Sequence, residues 1–304
     1  MKHGISLVAI LVTLALAPAL FAQEPAEKPQ VTFKSTELAP GLYMLEGVGG
    51  FAGGNVGVLT GEDGVAIVDD SFPPFTETLL AAVAAVASGP ADFVVNTHVH
   101  GDHTGGNETL GKAGAAILAH DNVRGRLVKE GFTTDTGQVP APPAALPVLT
   151  FADAVTVHLN GHDAYVFHVE HAHTDGDAVI HFRDADVIHT GDVLFNGVFP
   201  FIDLDSGGSL DGYIAAQEQV LALAGESTRI IPGHGPLATA ADLAASVAML
   251  KEARSRIGAL IGEGKSVEEV LAAKPLADYE AQSWEFITTE RMVRQVYRAL
   301  AGSK

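Results

Sequence analysis

The chain has 304 residues, 47% of them hydrophobic, and a formal net charge of −19, which allows one large α/β domain or two small ones around a sizeable core. The acidic balance disfavours nucleic acid and anionic membranes as partners and leaves a small molecule as the expected ligand. With no cysteine, a disulfide framework, thiolate metal ligands and lipoprotein attachment are all excluded.

Met1-Lys2-His3 precede an apolar run from Ile5 to Phe21 that is broken by Pro18 and ends in small residues before Gln23. This pattern reads as a signal peptide over residues 1–22, cleaved near Ala22, and it predicts a periplasmic or secreted product with no stable membrane insertion once it is removed. Residues 23–30 read as a flexible lead-in and residues 31–304 as a single domain closed by C-terminal helices. Residues 41–45 are strand-like. The glycine-rich stretch 47–54 cannot hold regular structure without a high entropic cost. Residues 56–59 and 65–68 flank a Gly61-Glu62-Asp63-Gly64 turn and form a hairpin that ends at Asp69-Asp70. An alanine- and leucine-rich helix over 76–88 stops at Gly89-Pro90.

A short buried strand over 93–96 then delivers Thr97-His98-Val99-His100-Gly101-Asp102-His103-Thr104-Gly105-Gly106. Histidine makes up 13 of the 304 residues, so one histidine in a strand carries little information. Three imidazoles and a carboxylate within six positions are different. In extended chain His98 and His100 point to the same side, because side chains alternate with period two. Gly101 permits a sharp change of direction, so Asp102 and His103 present to a second point close by. That geometry suits two neighbouring metal ions.

Beyond it, short helices are expected over 107–112 and 122–129 with a strand over 115–118 between them. The Pro-, Thr- and Gly-rich segment 131–147 reads as a long loop bordering the site. Residues 155–159 and 164–169 form a second hairpin, followed by His171-Ala172-His173. A third hairpin over 178–189 ends at Thr190-Gly191-Asp192. A loop over 193–208, a helix over 210–223 and a strand over 229–231 lead into Pro232-Gly233-His234-Gly235. The order hairpin, Asp69, helix, strand, His98 repeats as hairpin, Asp192, helix, strand, His234. Two related halves, each a sheet covered by helices, would bring these ligands to a shared edge. The remaining chain is helical: 241–261, then a short helix to Ala273 with a Ser266/Glu269 capping box, then 284–300 with Trp284, Ile287, Met292, Val296 and Leu300 as packing residues.

Over residues 40–240 the chain resembles the metallo-β-lactamase superfamily. The resemblance rests on His98-x-His100-x-Asp102-His103, His173, Asp192 in Thr-Gly-Asp, and His234 in Pro-Gly-His-Gly. It implies an α/β fold, the αββα four-layer sandwich, with the metal site at one edge of the packed sheets. It further implies that His98, His100 and His173 hold one metal, that Asp102, His103 and His234 hold a second, and that Asp192 bridges them. Two zinc ions fit this donor set, with one or two iron or manganese ions as the alternative. Asp102 is the expected catalytic carboxylate, orienting a metal-bridging hydroxide that attacks a carbonyl. Asp69 stands where the superfamily often keeps a carboxylate behind its ligands, against the plainer reading of a hairpin end facing water. His171 could face the same way as His173. His120, His158, His162, His168, His181 and His189 match no pattern.

The departures bear on substrate. One class of zinc β-lactamases has Cys at the position of Asp192 and Lys at that of Phe195, and another has Ser at the former. Thr-Gly-Asp192 resembles glyoxalase II and lactonases, but the lactonase pattern has Tyr where Phe195 stands, and no late basic cluster matches glyoxalase II. Phe51 in the glycine-rich loop resembles the tip of a β-lactamase flap. With Phe195, Phe199 and Phe201 it is a candidate for the substrate wall, ordinary core packing being the alternative for each. The expected function is an exported, β-lactamase-like dinuclear zinc hydrolase of a cyclic amide or ester. The alternatives are a glyoxalase II-like thioesterase or lactonase, and a mononuclear iron sulfur dioxygenase.

Overall fold

Val94 and Val95 sit side by side in the strand that leads to the histidines, yet they belong to different hydrophobic layers. The same split separates Ile67 from Val68, Ile117 from Leu118, Ile188 from Val187, and Ile230 from Ile231. Strands that are apolar on both faces must be covered on both faces. That requirement produces four layers here, seen in a computed structural model that describes Met1, residues 30–134 and residues 137–302. Apart from Met1 and Gln30, the expected signal peptide (1–22) and lead-in (23–30) lie outside the described residues.

Fifteen strands are described: β1 (Thr32–Ala39), β2 (Leu42–Val48), β3 (Val56–Gly61), β4 (Gly64–Val68), β5 (Phe93–Val95), β6 (Ala116–His120), β7 (Phe132–Thr134), β8 (Gly137–Val139), β9 (Leu149–Phe151), β10 (Ala154–Leu159), β11 (His162–His168), β12 (Ala178–Phe182), β13 (Val187–Phe195), β14 (Arg229–His234) and β15 (Ala238–Thr239). One sheet runs β1-β2-β3-β4-β5-β6-β9 and the other β10-β11-β12-β13-β14-β15. Their facing sides bury Leu42, Met44, Leu59, Val68 and Val95 against Val166, Ile180, Val187 and Ile231. The helices are α1 (Thr76–Val86), α2 (Gly101–Thr104), α3 (Asn107–Ala113), α4 (Asp121–Lys129), α5 (Leu210–Leu223), α6 (Ala240–Gly262), α7 (Val267–Ala273) and α8 (Thr289–Ala301). Leu79, Val83 and Leu110 of α1 and α3 cover the outer face of the first sheet. Tyr213, Val220, Leu250, Ile257, Met292 and Val296 of α5, α6 and α8 cover that of the second. No helix among the described residues is long and apolar enough to cross a membrane.

The two expected halves are present. The antiparallel pair β3–β4 followed by parallel β4–β5 is repeated as β12–β13 followed by β13–β14. Parallel neighbours end on the same side, so the residues after β4, β5 and β14 gather at one edge of the sandwich. Asn55 clamps the halves together there: its backbone N–H donates to the Gly233 carbonyl at 2.8 Å, and its Nδ2 donates to the Pro232 and Gly235 carbonyls.

Two expectations are corrected. Segment 131–147 is not a plain loop beside the site: it holds the β7–β8 hairpin and a 3₁₀ turn (Pro143–Ala145) whose Ala145 carbonyl accepts from Asn107 on α3. The last helix begins at Thr289, not at residue 284. Thr288, in extended conformation, caps it by accepting from the Arg291 N–H, and the run Ile287-Thr288-Thr289 is β-branched and poor helix. Trp284 is thereby freed from helix geometry. The capping box at Ser266 and Glu269 forms as expected.

Candidate metal centre

Seven donor atoms converge at the shared edge, in two groups: His98, His100, His173 and Asp192 form one, and Asp102, His103 and His234 the other. Within the first, His173 Nε2 lies 2.8 Å and His98 Nε2 3.2 Å from His100 Nδ1. Nitrogens about 2.0–2.1 Å from one tetrahedral zinc would be about 3.3 Å apart. Asp192 reaches both groups, with Oδ2 at 3.4 Å from His173 Nε2 and Oδ1 at 3.1 Å from His103 Nε2.

Hydrogen bonds on the far side of four rings decide what the near side offers. Thr97 Oγ1 donates to Asp69 Oδ2 at 2.8 Å, so it accepts the proton of His98 Nδ1 at 3.0 Å. His100 Nε2–H donates to Asp203 at 2.8 Å, His173 Nδ1–H to the Phe201 carbonyl at 2.8 Å, and His103 Nδ1–H to Asp69 at 2.7 Å. With the outer nitrogen holding its proton in this way, each ring in its neutral form turns a bare lone pair inward. Lone pairs and two carboxylates facing one another in a buried volume repel unless a cation lies between them. Two of these buried atoms, His103 Nε2 and Asp192 Oδ1, have no hydrogen-bond partner. The donor set and these orphaned atoms fit divalent metal.

The electrostatics pull the same way. Burial pushes His98 well below the ordinary imidazole range and His173 down to about 4, against the nearby carboxylates. For His103 and His234 burial also opposes the charge. The carboxylates of Asp192 and Asp102 outweigh it, holding His103 well above the usual range and His234 at about 9. Burial likewise opposes the charges on Asp102 and Asp192, but His103 beside each, and His234, keep both well below the usual carboxylate range. A site that draws protons onto these imidazoles attracts positive charge, and a divalent cation supplies it.

The local fold shapes the cradle. Asp69 has φ 65° and Ser71 φ 68°, left-handed conformations at the end of β4 that aim the Asp69 carboxylate at Thr97 and His103. Asp69 is fully buried, so the water-facing reading of it is ruled out. Backbone approaches closely at Gly54 and Gly233. A Cβ on Gly54 would lie 2.2 Å from His103 Cε1, and one on Gly233 2.0 Å from Asp192 Oδ1.

The site opens into a cavity of about 650 Å³, with His100, Asp102, Asp192 and His234 at its floor. Of the expected wall residues, Phe51, Phe195 and Phe201 line it. Phe199 does not: it is fully buried in the core behind the second sheet. Only its backbone serves the cavity, its carbonyl accepting from Trp284 Nε1 at 2.9 Å. His171 turns away, with Nδ1 on the Gly207 carbonyl at 2.9 Å. None of the described residues between 131 and 147 lines the cavity. Sequence reasoning missed Asp203, Phe72, Trp284 and Phe286. For Asp203 no local signal was available, since the ring it holds, His100, lies 103 positions away.

A sequence profile described as the metallo-beta-lactamase superfamily matches residues 49–234. The chain belongs to the metallo-β-lactamase superfamily. Hydroxyacylglutathione hydrolase of Nitrosococcus oceani is 32% identical over 146 residues, 46% of this chain and 47% of that protein. An acyl-coenzyme A thioesterase, MBLAC2 of Bos taurus, is 26% identical over 160 residues, 47% of this chain and 55% of that protein. This chain thus spans about half the length of these curated relatives. Among solved structures, a metallo-beta-lactamase from Pontibacter korlensis superposes with a TM-score of 0.60 at 16% identity, covering 72% of this chain and 99% of that one. That likeness shows the metallo-β-lactamase fold.

Proposed function

We propose that this superfamily member is a hydrolase using two divalent cations, zinc by its nitrogen and oxygen donors, to cleave the acyl C–O, C–S or C–N bond of an ester, thioester or cyclic amide with water. The observation that carries it is the floor of the cavity: inward lone pairs from buried imidazoles and two ionised carboxylates, open on one side to a ligand-sized space. Such a metal pair, when bound, supplies a water with a pKa near about 7 and a Lewis acid for the carbonyl.

The chain's own residues do the rest. His98, His100, His173 and Asp192 would hold one cation, Asp102, His103 and His234 the other, with Asp192 between them. Asp69 and Asp203 keep His103 and His100 in the tautomers that ligate. Asp102 lines the cavity with its Oδ2 3.3 Å from His234 Nε2, where its carboxylate can orient the attacking water and take its proton. The names of the relatives, a hydroxyacylglutathione hydrolase and an acyl-coenzyme A thioesterase, support ester and thioester chemistry. The β-lactam reading is weaker, because Phe195 offers no cation for a substrate carboxylate. The apolar run from Ile5 to Phe21 supports export to the periplasm or beyond; N-terminal sequencing of the protein recovered from cell fractions checks that placement.

The function is tested on metal-quantified protein with a panel of esters, thioesters, lactones and β-lactams, with and without chelator. Chelator-sensitive cleavage is expected. Metal-loaded protein that cleaves none of them, or holds one iron and consumes oxygen with a persulfide, would replace this reading.

A further inference from the structure

Six aromatic rings wall the cavity above the metal centre: Phe51, Phe72, Phe195, Phe201, Trp284 and Phe286. They form a continuous cup. Phe51 stacks on His234 at 5.4 Å and meets Phe72 edge-on at 5.8 Å. Phe195 also stacks on His234, at 4.8 Å, and Phe286 joins Phe201 at 5.5 Å to Trp284 at 5.6 Å. Phe51 is 53% exposed and Phe286 44%, large apolar rings left uncovered at the rim. The wall is held in place: Trp284 donates to the Phe199 carbonyl, and the Phe199 N–H donates to that of Gln282 at 2.9 Å. Segment 283–286 lies beyond residues 49–234, the stretch that the superfamily profile matches.

Charge separates the candidate ligands. Among the described residues the cavity's lining includes no lysine or arginine, and the charged residue on its wall is Glu285. The guanidinium of Arg291 lies over Phe286 at 4.3 Å and Phe201 at 5.5 Å, with Nη1 on the Phe286 carbonyl at 2.8 Å, and it does not line the cavity. A substrate carboxylate seated among the rings, away from the cations at the floor, would lose its water without gaining a side-chain counter-ion. The surrounding net charge of −19 adds to that penalty.

Resting on the hydrolase reading above, we infer that the substrate is a neutral ester or thioester whose acyl or leaving portion is an alkyl or aryl group seated in this aromatic cup. Carboxylated β-lactams and anionic thiol conjugates are thereby disfavoured, and Trp284 and Phe286 become specificity-determining residues.

The chain has a single tryptophan, Trp284, so its fluorescence reports on the cup without any turnover. Zinc-loaded full chain is titrated with a neutral, uncleaved N-alkyl octanamide and with S-octyl glutathione. Quenching by the amide at a concentration about tenfold or more below that needed for the conjugate is expected. Tighter binding of the conjugate, lost in Arg291→Ala, would overturn the inference. In turnover, the kcat/KM ratio of 4-nitrophenyl octanoate to 4-nitrophenyl acetate should be about tenfold or more and should fall severalfold in Phe286→Ala. A ratio near unity, or one that Phe286→Ala leaves unmoved, would refute it. If the amide binds but no ester is cleaved, the hydrolase reading fails and the cup stands. If esters are cleaved without regard to chain length, the reverse holds.

Discussion

Four hydrogen bonds determine which nitrogen of His98, His100, His103 and His173 faces the metal centre, and two of them end on carboxylates, Asp69 and Asp203. Asp203 is itself held by the N–H groups of Asp205 and Ser206, and its carboxyl lies well below the usual range: against burial, the His100 ring and Ser206 stabilise its charge. Replacing it with Ala frees the His100 ring. Zinc affinity, read by competition with a chromogenic chelator, is expected to fall about 10–100-fold; unchanged affinity would remove Asp203 from the cradle. Asp102→Ala should lower kcat by about 10²-fold or more, through lost proton transfer and weakened metal binding. Near-normal turnover with unchanged metal content would show that Asp102 has neither role. Gly233→Ala places a methyl against Asp192 Oδ1, so metal content should drop although no ligand is altered.

Most of the chemistry sits at or just beyond strand ends, Asp192 within β13 being the exception. The alternation of Ile67 with Val68 and of Val94 with Val95 made β4 and β5 legible, because each face must find its own apolar layer. Once those strands are parallel, their ends meet, and the histidine string comes together with Thr-Gly-Asp in β13 and Pro-Gly-His at the end of β14. The cup was less legible. Trp284 and Ile287 fall at helical spacing with Met292, and that period hides the Thr288 cap which ends the loop and starts α8. Phe199 and Phe201 are two apart and look alike in sequence, yet one is core and one is wall, because only tertiary packing decides which side of the loop meets the second sheet. Asp203 was unreadable because its partner His100 is 103 positions away. Thr288→Ala should cost about 1 kcal/mol in urea unfolding through the lost cap. An unchanged midpoint would mean that the helix start is set by packing alone.

The candidate metal centre draws on both halves of the molecule. His98, His100, Asp102 and His103 follow the first sheet, while His173, Asp192 and His234 belong to the second. Metal binding should therefore stabilise the whole sandwich, and it must displace protons. Metal-free His234 titrates at about 9, since Asp192 and Asp102 outweigh burial, so at pH 7.5 it carries a proton that a cation has to remove. Affinity should rise with pH towards about 9. Calorimetry in two buffers of different ionisation enthalpy should record at least one proton released per chain, and zero release would place His234 outside the ligand set.

The most direct test is the metal itself. Full chain loaded with zinc, freed of excess by desalting and measured by inductively coupled plasma mass spectrometry should retain two equivalents, one for each converging group. Protein that is folded and yet retains no transition metal would contradict the gathering of these seven side chains around a pair of cations.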